Sequence, residues 1–145
     1  ITIFSFLLIF VTNTSIANAT VLNNFSDDYY VETVITDAKP TFSFSTFQSN
    51  SHTITKTKTT NIKNTKGTVL WSVSITATFT YDGSTSRCIS CSPSAETYSS
   101  SWTIQSTSSS KSGNSATAVA TANYASLKNY TQSVTISCSK NGTVS

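Results

Sequence analysis

The sequence predicts an all-β fold, an antiparallel β-sandwich of about seven strands that is loosely immunoglobulin-like. Apolar and polar residues alternate through much of the chain with the period of two that a half-buried strand requires. Turn-forming residues separate the alternating segments, and no window places apolar residues at helical spacing between recognisable caps. The likeness to an immunoglobulin domain is one of architecture, because Trp71 precedes all three cysteines instead of lying between two of them.

The clearest strand covers residues 68–81. One of its faces carries serine and threonine almost throughout, and the other is apolar: Val69, Trp71, Val73, Ile75, Ala77, Phe79 and Tyr81. A helix would spread these residues around its circumference, whereas a strand separates them onto two faces. Asp82-Gly83-Ser84 then predicts a turn, because glycine tolerates positive φ and aspartate bonds to neighbouring backbone.

Later segments repeat this pattern. Ser115–Tyr124 places alanines on one face, and residues 130–139 alternate with larger apolar side chains. The small side chains of the alanine face predict one of two arrangements. Either the opposing sheet approaches closely, or the rings of Trp71 and Trp102 fill the space between the sheets. The remaining predicted elements are strands at residues 29–36, 41–48, 52–60 and 101–107, and a turn at residues 111–114.

The N-terminus has the order of a secretory signal peptide. An apolar run at residues 1–11 precedes a polar stretch and the small-residue triplet Ala17-Asn18-Ala19. The run is too short for a transmembrane span, which needs about 20 residues. We expect residues 1–19 to be an N-terminally truncated signal peptide cleaved after Ala19, with the mature chain extracellular and without a transmembrane anchor.

Composition and charge divide the mature chain into two parts. Ser and Thr supply 55 of the 145 residues, but 16 aromatic residues and regular patterning favour a folded domain over a disordered one. Residues 20–40 carry a net charge of −3 and form an acidic N-terminal segment, for which partial disorder is one interpretation. Residues 41–145 carry +6 and form the predicted sandwich domain.

The densest basic stretch defines a predicted basic patch of Lys56, Lys58, Lys63 and Lys66. Such a patch would attract a cell-wall glycan or another anionic surface. The alternative is an edge strand or loop in which lysines prevent unwanted strand pairing, and this is the favoured interpretation. No aromatic residue alternates with these lysines, so a nucleic-acid partner is not expected.

The three cysteines predict a disulfide, as is usual in an exported protein. Cys138 has the inward parity of its strand, and the favoured pair is Cys88 with Cys138, which leaves Cys91 as a free thiol. Cys91 with Cys138 is the alternative pairing. A redox pair at Cys88 and Cys91 is disfavoured because no helix begins there, and a zinc site that adds His52 is disfavoured because nothing places His52 near the cysteines.

No catalytic, metal-binding or cofactor-binding residues are predicted. His52 is the single histidine and has no acidic neighbour, and Asp82 and Glu96 are assigned to a turn and a Ser-rich loop, so no carboxylate pair stands out. Trp71 and Trp102 could stack on sugars if exposed, but their apolar faces favour core packing. A threonine array on residues 53–59 could bind ice or glycan, although threonine commonly occupies the solvent side of a strand.

Four segments carry a resemblance to known proteins: Gly67-Thr-Val-Leu-Trp71-Ser-Val, Phe79-Thr-Tyr-Asp-Gly83, Lys111-Ser-Gly-Asn114 and Val134-Thr-Ile-Ser-Cys138-Ser. Over residues 67–145 the chain resembles small secreted proteins of gut Firmicutes that have no assigned function. The resemblance implies export from a Gram-positive bacterium and implies no activity and no site residues.

The sequence therefore leads to the hypothesis of a secreted or cell-surface β-sandwich that is a non-catalytic binding or structural module. One alternative is a small exported effector that acts on anionic membranes, which the basic balance of residues 41–145 would favour. A second alternative is a small hydrolase, which would require a pocket that brings His52, Asp82 or Glu96 together with a nucleophile.

Overall fold

A computed structural model describes residues 29–37 and 51–145 of this chain, and these residues form seven strands. The strands are β1 (Tyr29–Asp37), β2 (His52–Asn64), β3 (Val69–Tyr81), β4 (Ser86–Thr97), β5 (Trp102–Ser112), β6 (Ser115–Tyr124) and β7 (Lys128–Ser137). One antiparallel sheet has the order β1-β2-β3-β4, and a second has the order β5-β6-β7. The all-β sandwich predicted from the sequence is confirmed, while the signal peptide, the cleavage site and the predicted strand at residues 41–48 lie outside the described residues.

The core lies between the inward faces of the two sheets. The five apolar residues of β3 from Trp71 to Phe79 are each at most 1% exposed, as the alternation predicts. The second sheet contributes the alanine face of β6 together with Val134 and Ile136 of β7. Burying one large apolar side chain contributes about 1.5–3 kcal/mol, so this alternation largely determines which faces meet.

Strand β4 is an element that the sequence pattern does not reveal. Its register against β3 shifts at a bulge, so that Cys88 lies opposite Phe79 and Cys91 lies opposite Ala77. The extra residue breaks the period of two and places both cysteines, three positions apart, on the inward side. Pro93 is tolerated because β4 is an edge strand. Glu96, expected in a Ser-rich loop, lies in this strand instead.

Among residues 29–37 and 51–145, every ladder joins strands that follow one another in the order β1 to β7, so each sheet is a meander. An immunoglobulin domain has Greek-key connections that carry the chain between its sheets, so the likeness ends at the seven-strand sandwich architecture. Within the described part of the chain, β4 is followed by the one crossing from the first sheet to the second.

The meander places the connections at two ends of the sandwich. The groove end holds the connections at residues 65–68, 98–101 and 125–127. The opposite end holds the turn at residues 82–85, the turn Gly113–Asn114 and the arm at residues 138–145. At Gly113, φ is +54°, which a two-residue hairpin turn with glycine in its first position requires.

Candidate functional site

A concave site of about 250 Å³, which we call the aromatic groove, opens at the groove end of the sandwich. It collects residues from the start of β1, the end of β2, the start of β3, the β4–β5 connection and the end of β6. Its apolar lining consists of Tyr29, Leu70, Trp102 and Tyr124. Its polar lining consists of Asn64, Thr65, Ser99 and Ser101.

Trp102 is the centre of the aromatic lining. Its ring centroid lies 5.9 Å from that of Tyr29, edge to face, and 5.2 Å from that of Tyr124. Its other contacts include the ring of Trp71, which stacks on it at 5.9 Å. Trp102 is only 4% exposed and Trp71 is fully buried, so the predicted core packing of both tryptophans is confirmed. The ring that a ligand can reach most readily is Tyr124, which is 36% exposed.

Asn64 is oriented by the turn that it starts. Its Oδ1 accepts hydrogen bonds from the backbone N–H groups of Lys66 and Thr68, each at 3.0 Å. This arrangement is the local bonding that favours asparagine in turns. It fixes the carboxamide so that Nδ2, which bonds to none of the described residues, is available as a donor at the groove.

The backbone carbonyls of the groove serines accept hydrogen bonds within the fold, whereas their side-chain hydroxyls form none with the described residues. The Ser99 carbonyl accepts from the N–H of Trp102 at 3.1 Å, and the Ser101 carbonyl accepts from the N–H of Ala125 at 2.8 Å. In the described part of the chain, the hydroxyls of Ser99, Ser101 and Thr65 have no hydrogen-bonding partner. The aromatic groove is therefore a shallow depression in which hydroxyls without a bonding partner lie beside aromatic rings.

The aromatic groove is electrically neutral. None of the described residues that line it carries a charge. Lys128, at the start of β7, instead lies over the ring of Tyr130 at 5.1 Å from the ring centroid. The groove therefore suits an uncharged, hydrogen-bonding ligand better than an anion.

A strained turn borders the groove. Ala125 and Ser126 have φ values of +50° and +58°, and the N–H of Leu127 bonds to the carbonyl of Tyr124 at 2.9 Å. Two consecutive positive φ angles define the mirror-image turn that hairpins favour, normally built from Asn and Gly. Here two residues with side chains adopt it, and Leu127 is left 84% exposed beside Tyr124. Strain of this kind is concentrated at functional sites.

Two lysines of the predicted basic patch face inward. Lys56 lies opposite Ala77 and Lys58 lies opposite Ile75, so both share the face of β3 that forms the core. Lys56 forms an ion pair with Asp37 of the neighbouring strand. Lys58 is half-buried, and its burial lowers the pKa of the ammonium group.

The other two lysines of the predicted patch lie elsewhere. Lys63 follows the inward Ile62 and therefore points to the outer face, where its Nζ lies 2.5 Å from a carboxylate oxygen of Glu32. Lys66 is exposed in the turn between β2 and β3. The four lysines are thus divided between two faces and a turn, and acidic residues of β1 pair with two of them.

The structure places two of the three free cysteines in the core, with Cys88 4% and Cys138 1% exposed. The N–H of Cys88 donates to the carbonyl of Gly113 at 2.8 Å, and the N–H of Cys138 donates to that of Asn114 at 3.0 Å. Both cysteines therefore flank the same turn at the opposite end. The disulfide between them stays a prediction, as does the alternative with Cys91.

The three thiols differ in their burial and in the ionisable groups near them. Burial raises the pKa of Cys88, the nearby Cys91 raises it further, and the Lys111 ammonium acts in the opposite direction. Burial also raises the pKa of Cys138. Cys91 is partly exposed, and its Sγ lies 3.7 Å from the hydroxyl of Ser109.

The candidate catalytic groups do not converge. His52 packs its ring 5.4 Å from that of Tyr81, at the opposite end of the sandwich. Asp82 is used by its own turn, where its carboxylate accepts backbone N–H groups at 2.7 and 2.9 Å. Glu96 lies near the groove end and accepts the hydroxyl of Tyr98 at 2.9 Å.

The threonine array lies on the outer face of β2, where its hydroxyls bond to those of β3. The pairs are Thr55–Thr78 at 3.0 Å, Thr57–Thr76 at 2.8 Å and Thr59–Ser74 at 2.9 Å. Cross-strand pairs of this kind stabilise a sheet, so these hydroxyls already have a structural role.

The residues that sequence reasoning missed are Tyr29 and Tyr124. Each lies at a strand end, and a meander brings alternate strand ends to the same end of the sandwich. Aromatic residues at strand ends that meet at one end of the sandwich are the sequence signal that could have identified the groove.

Residues 29–37 and 51–145 contain no group of three or more His, Cys, Asp or Glu side chains that could hold a metal ion. Over the same residues, no helix has the length and apolarity needed to cross a membrane. Neither a protein-family model, nor a curated protein, nor a solved structure matches this chain.

Proposed function

We propose that this chain is a secreted or cell-surface, non-catalytic binding module that holds one neutral sugar unit of a glycan in the aromatic groove. The observation that carries the proposal is the combination of an exposed Tyr124 ring with the hydroxyls of Thr65, Ser99 and Ser101, which bond to none of the described residues. A sugar ring presents C–H groups on its faces and hydroxyls around its rim. It therefore matches an aromatic wall beside amide and hydroxyl groups.

The size of the groove favours a single ring. Its volume of about 250 Å³ lies below the range of about 300–1,000 Å³ that is usual for drug-sized ligands. One side of the groove is open to solvent through the exposed edge of Tyr124, so the ring could belong to a longer chain. With few contacts, we expect a Kd of about 1 mM, which corresponds to about −4 kcal/mol.

The proposal is tested by titrating the isotope-labelled protein with neutral and anionic oligosaccharides and following amide and side-chain signals by NMR. We expect a neutral glycan to shift the signals of Asn64, Ser99 and Tyr124. Tyr124→Ala removes the exposed ring and should weaken binding about tenfold, because an aromatic contact is worth about 0.5–1.5 kcal/mol beyond the area it buries. Tyr98→Ala is the matched control, since Tyr98 is exposed but does not line the groove.

A second variant tests the polar lining. Asn64→Asp keeps the oxygen that accepts the turn hydrogen bonds and replaces the Nδ2 donor, so the fold should survive while glycan binding falls. Equal binding by the parent protein and both groove variants would contradict the proposal. So would a preference for anionic oligosaccharides whose shifts map to the lysines of β2.

A further inference from the structure

Cys88 and Cys91 form a pair of thiols on the inward side of β4. Cys88 lies opposite Phe79 and Cys91 lies opposite Ala77, and these partners are two positions apart on β3. Two residues of a strand span about 7 Å, so the backbones of the two cysteines are separated by about that distance. In a regular strand, residues three positions apart point to opposite faces, and here the bulge brings both thiols to the same side.

Side chains of β5 complete the surroundings of this pair. Burial raises the pKa of Cys88, the charge of Cys91 raises it further, and the ammonium of Lys111 lowers it, so both groups lie near Cys88. The Nζ of Lys111 donates to the carbonyl of Ile89, which lies between the two cysteines in the strand. The Sγ of Cys91 lies 3.7 Å from the hydroxyl oxygen of Ser109. We call the two thiols, with this ammonium and this hydroxyl, the β4 thiol site.

The spacing of Cys88 and Cys91 suits a bridging ion better than a disulfide. A disulfide holds its sulfur atoms about 2 Å apart and joins Cα atoms that are usually about 4.4–6.8 Å apart, so this pair lies at the upper limit. An ion bound between two sulfurs holds them about 4–5 Å apart, twice a metal–sulfur distance of about 2.3 Å. The disulfide predicted from the sequence joins Cys88 to Cys138 instead, so the β4 thiol site belongs to the protein in its reduced form.

The ligands present determine which ion fits. The whole sequence has three cysteines, one histidine and no methionine, and all four of these side chains belong to the described residues. Over those residues, no third His, Cys, Asp or Glu joins the pair in a group that could hold a metal ion. A structural Zn²⁺ takes four ligands, and Ca²⁺ and Mg²⁺ take oxygen ligands. Two thiolates alone suit a soft monovalent ion such as Cu(I), which accepts two ligands in a line.

Charge and access at the β4 thiol site also suit a monovalent ion. Two thiolates and one such ion have a net charge of −1, which the ammonium of Lys111 offsets. Cys91 is partly exposed and Cys88 is buried, so an ion can reach Cys91 from solvent and then bind the enclosed sulfur of Cys88. The hydroxyl of Ser109 can donate to the thiolate of Cys91, an outer contact of the kind that orients metal ligands.

We propose that, in the reduced protein, Cys88 and Cys91 bind one Cu(I) ion between their sulfur atoms, and that Lys111 balances the charge of the complex. Each thiol gives its proton to solvent as its sulfur–copper bond forms, so one bound ion releases two protons and no atom changes its oxidation state. This inference uses residues outside the aromatic groove and does not depend on the glycan proposal.

The test titrates the reduced full chain, without oxygen, with Cu(I) and in parallel with Ag(I), which has the same charge and the same preference for sulfur. We expect native mass spectrometry to find one ion per monomer, and X-ray absorption to find two sulfur neighbours around it. Zn²⁺ at the same concentration should form no such complex. At a pH well below the thiol pKa values, the apparent affinity should rise about 100-fold per pH unit, because two protons leave.

Cysteine variants identify the ligands. Cys91→Ser should weaken the binding of both ions more than about 100-fold, beyond the usual effect of an outer contact. Cys138→Ser is the matched control: it should bind like the parent, and it also removes the competing disulfide. Cys88→Ser should lose binding as Cys91→Ser does. Because Cys88 is buried, circular dichroism checks the fold of this variant, and the partly exposed Cys91 decides the test if that fold is lost.

A lysine variant tests the charge balance. Lys111→Ala should weaken Cu(I) binding about tenfold, whereas Lys66→Ala, in an exposed turn, should have no effect. Absence of a complex with equimolar ion, or binding that Cys91→Ser leaves unchanged, would overturn the proposal. Binding that Cys138→Ser abolishes, or a complex that forms only as a dimer, would overturn it too, because the ion would then be held by another pair or between two chains.

Discussion

Trp71 of β3 and Trp102 of β5 stack across the two sheets, with ring centroids 5.9 Å apart and 29° between the ring planes. Each tryptophan belongs to a different sheet, so their contact joins the layers at the groove end. Trp102 also contacts Tyr29 and Tyr124, and this links the packing of the core directly to the wall of the aromatic groove.

Replacing Trp102 by alanine should therefore reduce the free energy of unfolding by about 3–5 kcal/mol, the usual cost of truncating a buried aromatic residue. Urea denaturation followed by circular dichroism measures this change. Leu127→Ala is the control, because Leu127 is 84% exposed and a surface substitution typically costs less than about 0.5 kcal/mol. A loss for Trp102→Ala as small as that of the control would show that the stacked pair does not hold the sheets together.

Ser126→Gly should stabilise the protein by about 1 kcal/mol, because a residue with a Cβ pays roughly 1–2 kcal/mol in the left-handed region and glycine does not. The relevant φ of Ser126 is +58°. Ser110→Gly is the matched change in an exposed part of β5, where glycine should instead destabilise by about 0.5–1 kcal/mol. Thermal unfolding measures whether each variant is more or less stable than the parent. A change in the same direction at both positions would contradict backbone strain at Ser126.

The turn after β3 should weaken at acid pH. Hydrogen bonds from the backbone N–H groups of Thr85 and Ser84 lower the pKa of Asp82 from its ordinary value of 3.8. A carboxyl whose pKa is lower in the folded state contributes stability above its unfolded pKa and loses it as the pH falls through the folded value.

Asp82→Asn should consequently be less stable than the parent at neutral pH, and the difference should shrink below about pH 4. Urea midpoints measured from pH 7 to pH 2 would record it. A difference that stays constant over this range would mean that the charge of Asp82 has no part in holding the turn.

Accessibility predicts an order of thiol reactivity. In the reduced, native protein, iodoacetamide should label Cys91 first, because burial shields Cys88 and Cys138 and raises the pKa of both. After oxidation, peptide mapping by mass spectrometry should find the Cys88–Cys138 bridge and an alkylated Cys91. A bridge that contains Cys91, or first labelling at Cys138, would contradict this order.

The sequence predicts the fold best where one face of a strand is uniformly apolar. The bounds of β6 agree with the prediction and those of β3 differ by one residue, because their inward faces are uniformly apolar and supply nine of the sixteen buried apolar residues in the described part of the chain. The ends of β2 and β5 extend to Asn64 and Ser112, where polar residues continue the ladder and hydrophobic patterning gives no signal.

Strand β4 and the aromatic groove could not be predicted in this way. In β4 the bulge shifts the parity between Cys88 and Cys91, so a period of two never becomes visible. The groove depends on which strand ends meet, and that is decided by the sequential strand order and not by any local pattern. Tyr29 and Tyr124 are 95 positions apart in the chain and become neighbours only through Trp102.

The meander order also has a kinetic consequence. Because each ladder of the described strands pairs one strand with the next in the order β1 to β7, a hairpin such as that at Gly113–Asn114 can close without waiting for distant segments to meet. Sandwiches whose pairings join remote segments have a higher contact order and fold more slowly. We therefore expect this chain to refold quickly for an all-β protein, with the docking of two preformed sheets, and not their assembly, as its slow step.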